Sequence, residues 1–338
     1  MRTRVGINGM GRIGRAVLRV LAQRLDRTFD IVAVNDVAPI DTVAHLLRHD
    51  STFGPWAGEI ETDRGFLVLG GQPIRASNEA RPAELPWDEL GVDIVIEATG
   101  RHRTRELASA HLTAGARKVV LTSPGTGVDA TIVMGINDDD YDAGSHHIVS
   151  NASCTTNCVA PMISVLHRAF GIRRAMLTTV HGYTGDQNLL DAPHKDLRRA
   201  RAAAVNIIPT TTGAAKAVSE IFPELAGRID GVALRVPVVD ASITDLTVQL
   251  NEVVTAGRVN RAFADAASGR LKTILRYNTE PLVSSDIVGD PSSCVFDSGL
   301  TTASGTMAKV FGWSDNEWAY AQRTVDLVDL VAATLPNR

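Results

Sequence analysis

The chain has 338 residues, of which 44% are hydrophobic and 21% are charged, and its formal net charge at pH 7 is -4. This length and composition allow large buried cores and two domains of about 100 to 200 residues each. The small net charge creates no whole-chain field that would attract nucleic acid or a membrane surface, so we expect neither as a partner.

The N-terminal stretch MRTRVGINGMGRIGR runs directly into a glycine-rich turn. It has no apolar signal-peptide core and no small-residue cleavage site, and no later apolar run approaches about 18 residues. The three cysteines, Cys154, Cys158 and Cys294, are too few for a disulfide framework and fit a reducing compartment. We therefore predict a cytoplasmic protein in which any thiol chemistry is catalytic.

From residue 3 to about residue 150, short β-branched runs alternate with helical stretches. The strand-like runs are RVGIN, FDIVAVND, VDIVIEATG, KVVLTS and HHIVSN, and the first helical stretch covers residues 14–25. Such alternation implies parallel strands joined by crossover helices. The sequence therefore predicts an α/β fold with a doubly wound parallel sheet in this half of the chain.

After a helix that begins near Cys154, the strand-like runs become longer and alternate more regularly: RRAMLTTVHGYTG, GVALRVPVVDASITDLTVQL and AKVFGWSDNEWAYA. They predict a mostly antiparallel sheet covered on one face by helices, which is an α+β arrangement. Between two of them lies the long Arg-rich segment DAPHKDLRRARAAAVNIIPTTTG. A loop of that length in a compact domain usually has a function.

The first chemical motif is the glycine turn formed by Gly9, Gly11 and Gly14, between a strand and a helix. In this context the backbone can approach a pyrophosphate closely, and the helix N-terminus supplies N–H groups and positive dipole. Asp36 stands at the end of the next strand, placed to bind an adenosine ribose, and its carboxylate disfavours a 2′-phosphate. The motif predicts NAD binding; the alternative is a tight turn followed by a surface aspartate.

The second motif centres on Cys154, between a strand ending near Ser150 and a helix running to Phe170. A helix N-terminus favours the thiolate, which is the nucleophilic form of cysteine. Cys158 and Cys294 are interpreted as small buried apolar residues. By itself, the position of Cys154 is equally compatible with an inert structural thiol.

A catalytic thiol needs a base, and the residue that we select is His181, which follows the apolar run MLTTV. The alternative is a solvated or structural histidine in a loop. None of the nine histidines falls with a second His or Cys at the spacing of a zinc site together with a further such pair elsewhere. The adjacent His146 and His147 would point to opposite faces of a strand. We therefore predict no metal.

Five segments, INGMGRIGR, IVSNASCTTNCVAP, TTVHGYTGDQ, DLRRARAAAVNIIPTTTGAAKAV and WSDNEWAY, resemble the glyceraldehyde-3-phosphate dehydrogenase family in order and spacing. The resemblance covers essentially the whole chain. It implies a Rossmann NAD-binding domain at residues 1–151, a catalytic domain at 152–316 and a C-terminal helix at 317–338 that returns to the first domain. It also implies a homotetramer, with residues 184–208 at a subunit interface beside a neighbour's cofactor.

The activity implied by this resemblance is NAD-dependent oxidation and phosphorylation of glyceraldehyde 3-phosphate to 1,3-bisphosphoglycerate, with inorganic phosphate as co-substrate and a cysteine thioester as intermediate. Cys154 resembles the family's nucleophile and His181 its base. The residues similar to the family's phosphate-binding residues are Thr184 and Arg235 for the substrate, Ser153, Thr155, Thr212 and Gly213 for inorganic phosphate, and Arg199 near both. The residues that match its NAD contacts are Asn8, Gly9, Gly11, Arg12, Ile13, Asp36, Arg81, Thr99, Gly100, Thr122, Asn316 and Tyr320.

Several positions depart from the family pattern, namely Met10, Arg101-His102, the 123–127 loop and Ser314. By resemblance, they cluster around the nicotinamide and thiol end of the site. We hypothesise an inhibitor-tolerant variant; neutral drift is the alternative. Pro193 stands where NADP-using relatives usually carry Ser, and proline cannot donate a hydrogen bond to a 2′-phosphate, which again favours NAD.

Two rival functions remain open at this point. Erythrose-4-phosphate dehydrogenase is a related enzyme, although IIPTTTG and the Arg-rich segment are more similar to the glyceraldehyde enzyme. The other rival is a non-catalytic family member that binds RNA or regulates. Such a protein would have lost the cysteine or histidine, or would carry a basic stripe with exposed aromatic residues, and this sequence shows neither.

Overall fold

The computed structural model describes residues 2–24 and 26–336, which group into two compact units. The first comprises the described residues of Met1–Ile132, Asp139–Ala152 and Ala321–Arg338, and the second comprises Val133–Asp138 and Ser153–Tyr320. Leu25 of the first predicted helix, and residues 337 and 338 of the last, lie outside the described residues. Among the helices that are described, none combines the length and apolarity needed to cross a bilayer.

The first unit contains eleven strands and three complete helices. The strands are β1 (Thr3–Asn8), β2 (Phe29–Asn35), β3 (His49–Asp50), β4 (Gly54–Pro55), β5 (Ile60–Asp63), β6 (Phe66–Leu69), β7 (Gln72–Ser77), β8 (Ile94–Glu97), β9 (Lys118–Leu121), β10 (Ala130–Thr131) and β11 (Ile148–Ser150). The helices are α1 (Arg12–Gln23), α2 (Ile40–Arg48) and α3 (Arg105–Thr113).

Nine of these strands form one sheet in the order β10-β11-β9-β8-β1-β2-β7-β6-β5. Every neighbouring pair from β10 to β7 is parallel, whereas β6 pairs antiparallel with both β7 and β5. The predicted α/β sheet is confirmed, and the five predicted runs coincide with β1, β2, β8, β9 and β11. Its central residues, such as Ile7, Ile94 and Ile96, are fully buried, as expected when helices cover both faces of a parallel sheet.

The second unit is built on one sheet and three helices on one of its faces. Its strands are β12 (Ile172–Gly182), β13 (Ile208–Thr211), β14 (Ile229–Val236), β15 (Ser242–Leu250), β16 (Leu275–Asn278), β17 (Cys294–Asp297), β18 (Thr302–Ser304) and β19 (Met307–Ser314). The helices are α4 (Cys154–Phe170), α5 (Ala214–Ile221) and α6 (Ala256–Ser268), and α7 (Trp318–Thr334) begins in this unit.

The sheet order is β13-β14-β12-β15-β19-β17-β16, with β18 paired to β19. Only the β12–β14 and β16–β17 pairs are parallel, so the prediction of a mostly antiparallel sheet is confirmed. Helices α4, α5 and α6 pack on it through a core that includes Met162, Val218 and Phe263.

Two local expectations need correction. The run AKVFGWSDNEWAYA is strand only as far as Ser314, and α7 begins at Trp318 because Asp315 accepts hydrogen bonds from the N–H groups of Glu317 (2.8 Å) and Trp318 (2.6 Å). A side-chain acceptor before a helix satisfies its first free N–H groups. His181 lies within strand β12 rather than in a loop.

Candidate active site

Cys154 is the first residue of α4, where the sequence placed it. Ser153 caps this helix, because its Oγ accepts a hydrogen bond from the N–H of Thr156 at 3.0 Å. Cys154 is half-buried as a residue, whereas Cys158 and Cys294 are completely buried in the apolar core, as expected. Cys154 is therefore the cysteine that a dissolved molecule can reach.

The sulfur of Cys154 lies 3.4 Å from Nε2 of His181. On the other side of the ring, Nδ1 lies 2.6 Å from the carbonyl oxygen of Gly182. A carbonyl only accepts hydrogen bonds, so Nδ1 carries the ring proton and Nε2 presents a lone pair to the thiol. The imidazole is thus oriented to accept the thiol proton.

Arg235, on the neighbouring strand β14, is the cation of this site. Its Nη1 donates to Oγ1 of Thr184 at 2.8 Å and to the carbonyl oxygen of Gly182 at 3.3 Å. Its Nε is buried, and no acceptor among the described residues reaches it. A buried guanidinium N–H without a partner is costly, so this donor is suited to an anionic ligand.

Burial and the positive charge of Arg235 lower the pKa of His181 to about 3, so the imidazole is neutral near pH 7. Burial also raises the pKa of the Cys154 thiol, although the charge of Arg235 opposes this shift. The helix N-terminus favours a thiolate at Cys154, and burial acts in the opposite direction. Both shifts favour a neutral thiol beside a neutral imidazole.

An acidic residue that sequence reasoning did not single out joins this cluster. Asp186 accepts from the hydroxyl of Thr184 and forms an ion pair with Arg199. Arg199 also donates through Nε to Oγ1 of Thr210 at 2.9 Å. The signal was present, since Asp186 belongs to the quoted segment TTVHGYTGDQ, two residues after Thr184.

The remaining predicted residues of this unit lie at helix starts. Thr212 Oγ1 accepts from the N–H of Ala214 at 3.2 Å, and Gly213 is the residue before α5. Thr155 is in the first turn of α4, Asn316 precedes α7, and Tyr320 lies in its first turn. Helix N-termini offer free N–H groups to anions, which suits a second phosphate near α4 and α5.

In the first unit, the glycine turn meets the requirements of a dinucleotide site. A side chain on Gly14 would lie 2.1 Å from the carbonyl oxygen of Gly9, so helix and strand pack too closely for any other residue. Around Gly11 the corresponding space is open, and no side chain caps α1. The N-terminus of α1 therefore borders open space that suits a pyrophosphate.

Asp36 closes the groove next to this turn. Its carboxylate accepts from the N–H groups of Met10 (2.6 Å) and Ala38 (2.9 Å), and a carboxylate retains further lone pairs for ribose hydroxyls. The groove brings together five predicted cofactor residues, which are Asn8, Gly9, Gly11, Asp36 and Thr99. Arg101 and His102, two of the departures from the family pattern, line the same groove.

Glu97 is a buried carboxylate that the sequence analysis overlooked, and it forms hydrogen bonds to residues that line this groove. It accepts from Nδ2 of Asn8 at 2.6 Å and from the N–H of Thr99 at 2.8 Å. Burial opposes its ionisation, but the histidines and Thr99 around it lower its pKa to about 2. The available signal was a charged residue at the carboxyl end of the apolar run VDIVIE.

Glu97, His102 and His111 place three possible metal ligand atoms within 4.8 Å of one another. However, the indole N–H of Trp87 donates to Nδ1 of His111 at 3.0 Å, which leaves the ring proton on Nε2. Nε2 then donates to Glu97 at 2.9 Å, and it has no lone pair for a metal. The cluster is built as a hydrogen-bond network.

Other predicted cofactor residues have protein partners. Arg12, at the start of α1 beside Ile13, pairs with Asp50 at 2.5 Å, and Thr122 donates to the carbonyl oxygen of Glu97 at 3.2 Å. Arg81 is largely exposed and pairs with Glu84, and the groove described above does not include it. Gly100 follows Thr99 with a φ of 66°, a conformation that favours glycine.

A unit with a dinucleotide cradle and a unit with a thiol–imidazole pair beside an arginine define a class, that of nucleotide-dependent dehydrogenases with a reactive cysteine. Two family models match the chain: glyceraldehyde 3-phosphate dehydrogenase, NAD binding domain, over residues 3–105, and glyceraldehyde 3-phosphate dehydrogenase, C-terminal domain, over residues 153–316.

Curated relatives agree along the whole chain. Glyceraldehyde-3-phosphate dehydrogenase 2 of Streptomyces arenae is 53% identical over 335 residues, which cover 99% of this chain and 100% of the relative. The enzymes of Streptomyces coelicolor (52% over 337 residues) and Mycobacterium avium (54% over 341 residues) match with the same coverage.

The chain belongs to the glyceraldehyde-3-phosphate dehydrogenase family. It is an NAD-dependent oxidoreductase. Neither an erythrose-4-phosphate dehydrogenase nor a non-catalytic regulator finds support in these comparisons.

Proposed function

We propose that this chain oxidises and phosphorylates glyceraldehyde 3-phosphate in glycolysis through a thioester on Cys154. The observation that carries the proposal is the 3.4 Å contact between Sγ of Cys154 and the unprotonated Nε2 of His181. A nucleophile within reach of an oriented base is the arrangement that covalent catalysis requires. The cofactor residues named above hold NAD, which accepts a hydride when bound.

The proton movements follow from the neutral pair. His181 takes the thiol proton at Nε2 as the sulfur of Cys154 bonds to the aldehyde carbon, and it returns that proton to the new alkoxide oxygen. In the oxidation step, His181 removes the hydroxyl proton again, and a thioester remains. An oxygen of inorganic phosphate then attacks the thioester carbon, the C–S bond breaks, and acyl phosphate leaves.

The two phosphates have separate sites in this proposal. Arg235 and Thr184 hold the phosphate of the substrate, since the buried Nε of Arg235 lacks an acceptor among the described residues. Ser153, Thr155, Thr212 and Gly213 hold inorganic phosphate at the starts of α4 and α5. Arg199 serves both, and it must then exchange part of its contact with Asp186 for phosphate oxygens.

The test is NADH formation from glyceraldehyde 3-phosphate with and without inorganic phosphate. We expect sustained turnover only when phosphate is present, because the thioester otherwise persists on Cys154. Erythrose 4-phosphate is the matched alternative aldehyde and should give a lower kcat/KM. Equal turnover without phosphate, or a preference for erythrose 4-phosphate, would refute the proposal.

Three finer assignments belong to the same proposal. We assign residues 1–151 to NAD binding, 152–316 to catalysis and 317–338 to the helix that returns to the first domain. We also place the protein in the cytoplasm.

We also propose a homotetramer, because the 184–208 segment exposes five apolar side chains by at least 67% each, namely Leu189, Leu190, Leu197, Val205 and Ile207. Apolar side chains exposed to this degree mark interaction surfaces. Sedimentation of the purified protein tests the assembly; a monomer would reject it.

We also propose that this enzyme tolerates electrophilic inhibitors. Arg101 and His102 alter the cofactor groove, and Ser314 is buried beside Cys158, one turn below Cys154. Each of these residues lies near predicted site residues, and the thiol and the base are both retained. A small substrate anchored by its phosphate depends less on those surfaces than a bulky electrophile does.

A further inference from the structure

The loop between β14 and β15 carries a carboxyl group, Asp240, that is only 1% exposed. One oxygen, Oδ1, accepts from the N–H of Ala241 at 2.7 Å. The other, Oδ2, is buried and receives no hydrogen bond from any donor of the described chain. A buried carboxylate is normally surrounded by donors or a cation, so this group is unusual as an anion.

The charged groups that act on Asp240 are both acidic: Asp315 and Glu317 from the turn before α7. Gly182 at the end of β12 and the following Tyr183 bond to the loop through their main-chain N–H groups, and the titratable side chains of this stretch are His181 and Tyr183. An ionised Asp240 would thus face like charge from these two carboxylates, Asp315 and Glu317.

Asp315 has the opposite surroundings although it is equally buried. Its Oδ2 accepts from the N–H of Gly289 at 2.7 Å, and its Oδ1 accepts from the N–H groups of Glu317 and Trp318 at 2.8 and 2.6 Å. Three N–H donors favour a carboxylate over a carboxylic acid. Of the two, Asp315 is the one equipped to carry the negative charge.

Burial and the charge of Asp315 raise the pKa of Asp240 to about 8. This shift favours the protonated form of Asp240, and Asp315 is the side chain that acts on it as a hydrogen-bond partner. A hydrogen bond between an acid and a carboxylate is charge-assisted and stronger than a neutral one.

The pair connects two segments of the proposed site. The Asp240 loop accepts hydrogen bonds from Gly182 (to Ala241, 3.1 Å) and Tyr183 (to Val238, 3.0 Å), the residues that directly follow His181. On the other side, Asp315 is followed by Asn316, whose side chain accepts from Oγ of Ser242 at 3.3 Å.

We propose that Asp240 is a positioning residue which, in its protonated form, donates a hydrogen bond to Asp315 and so fixes Asn316 relative to the end of β12 that carries His181. Asp240 touches neither substrate nor cofactor. When Asp240 loses this proton, the carboxylates of Asp240 and Asp315 repel each other in the interior. This repulsion loosens the turn that holds Asn316. The catalytic part of this inference rests on the function proposed above.

The first test compares the pH profiles of the unchanged protein and Asp240→Asn. An asparagine donates a hydrogen bond and does not titrate, so it should rescue activity at alkaline pH. We expect kcat of the unchanged protein to decline about tenfold per pH unit above the pKa of Asp240. The Asp240→Asn variant should lack this decline. KM for glyceraldehyde 3-phosphate should be the same for the two proteins. Asp240→Ala, which cannot donate, should lower kcat at every pH.

The second test measures the thermal midpoint Tm between pH 4 and 9 and needs no substrate. Because the folded-state pKa of Asp240 lies above the ordinary value of 3.8, the folded protein binds a proton that the unfolded chain releases. The stability of the unchanged protein therefore falls relative to Asp240→Asn as pH rises from about 4 to about 8, and the difference is constant above that range.

Parallel Tm curves for the unchanged protein and Asp240→Asn would overturn the proposal, as would an alkaline decline in kcat that Asp240→Asn retains in full. If the protein forms no NADH from glyceraldehyde 3-phosphate at any pH, the proposed function fails. The Tm comparison then still decides whether Asp240 keeps its proton.

Discussion

Nη1 of Arg235 lies 3.1 Å from Nδ1 of His181, and both nitrogen atoms donate to one acceptor, the carbonyl oxygen of Gly182. The two residues are register partners on the parallel strands β12 and β14. The arginine thus repels a second proton on the imidazole while the shared carbonyl holds the first on Nδ1. A single residue affects both the charge and the orientation of the base.

Replacement of Arg235 by Gln should shift the acid side of the pH profile. The pKa of His181, about 3 in the unchanged protein, rises when the positive charge is removed, so the base becomes protonated at a higher pH. We expect kcat/KM of the variant to decline on acidification well before that of the unchanged protein. KM for the phosphorylated aldehyde should also rise at least tenfold, because a charged hydrogen bond contributes about 1.5–3 kcal/mol. Identical acid limbs would contradict this account.

Cys154→Ser should lose several orders of magnitude in turnover, because a hydroxyl lacks the nucleophilicity of a thiolate. Binding of NAD, measured by quenching of tryptophan fluorescence, should be retained. Cys294→Ala is the matched control, since that thiol is buried away from solvent. Near-normal turnover of Cys154→Ser would refute the covalent mechanism.

Much of the fold could be predicted because the relevant signals are local. The runs that became β1, β2, β8, β9 and β11 are short, apolar and rich in β-branched residues, as buried parallel strands are. Strands β5 to β7 escaped detection because they have only four to six residues each, and because β5 and β7 are largely polar. The pairing of β7 with β2 also joins segments that are far apart along the chain. The start of α7 did have a local signal, since aspartate is a preferred helix cap, and Asp315 stands three residues before Trp318.

Specificity for NAD over NADP should depend on Asp36. We expect kcat/KM to be higher with NAD than with NADP, because the carboxylate disfavours a 2′-phosphate. The Asp36→Ala substitution should bring the kcat/KM values for the two cofactors closer together. Asp41→Ala is the control; this exposed residue of α2 bonds to Thr62 and does not line the groove. Equal specificity constants for the two cofactors in the unchanged protein would show that Asp36 does not contact the ribose.

Glu97→Gln should weaken NAD binding and stability together, since the amide replaces an acceptor oxygen of a buried network by a donor. The pKa of Glu97 is lowered from 4.5 to about 2 in the folded protein. Its ionic contribution to stability is therefore complete above pH 4.5 and is lost as pH falls toward 2. Chemical denaturation at pH 7 and pH 3 should show a larger difference between the two proteins at pH 7. The exposed Glu106→Gln serves as the control, and a pH-independent difference would reject the network.

Inhibitor tolerance can be measured as a ratio of inactivation rates. A bulky epoxide and a small alkylating agent both react with Cys154, so their rate ratio reports the surroundings and not the thiol. We expect the rate with the epoxide divided by the rate with the alkylating agent to be lower for this chain than for relatives that carry Tyr at the position of Ser314. The Ser314→Tyr substitution should raise this ratio. A ratio equal to that of ordinary family members would end the hypothesis.

Only part of the candidate site could be predicted from the sequence. Cys154 and His181 could be selected because a strand, a helix start and a family pattern surround them. The tautomer of His181 could not, since it depends on a carbonyl 2.6 Å away. Glu97 and Asp240 were also missed, because the burial and charge that define them come from residues far along the chain.

The burial of Cys158 and Cys294 makes the folded chain behave as a single-thiol protein toward dissolved reagents. A disulfide reagent added in excess should therefore release one equivalent of chromophore per native chain and three after denaturation. The native value counts competent sites directly, so any preparation can be standardised by active fraction instead of total mass. Turnover numbers from different variants then become comparable even when part of a sample is damaged.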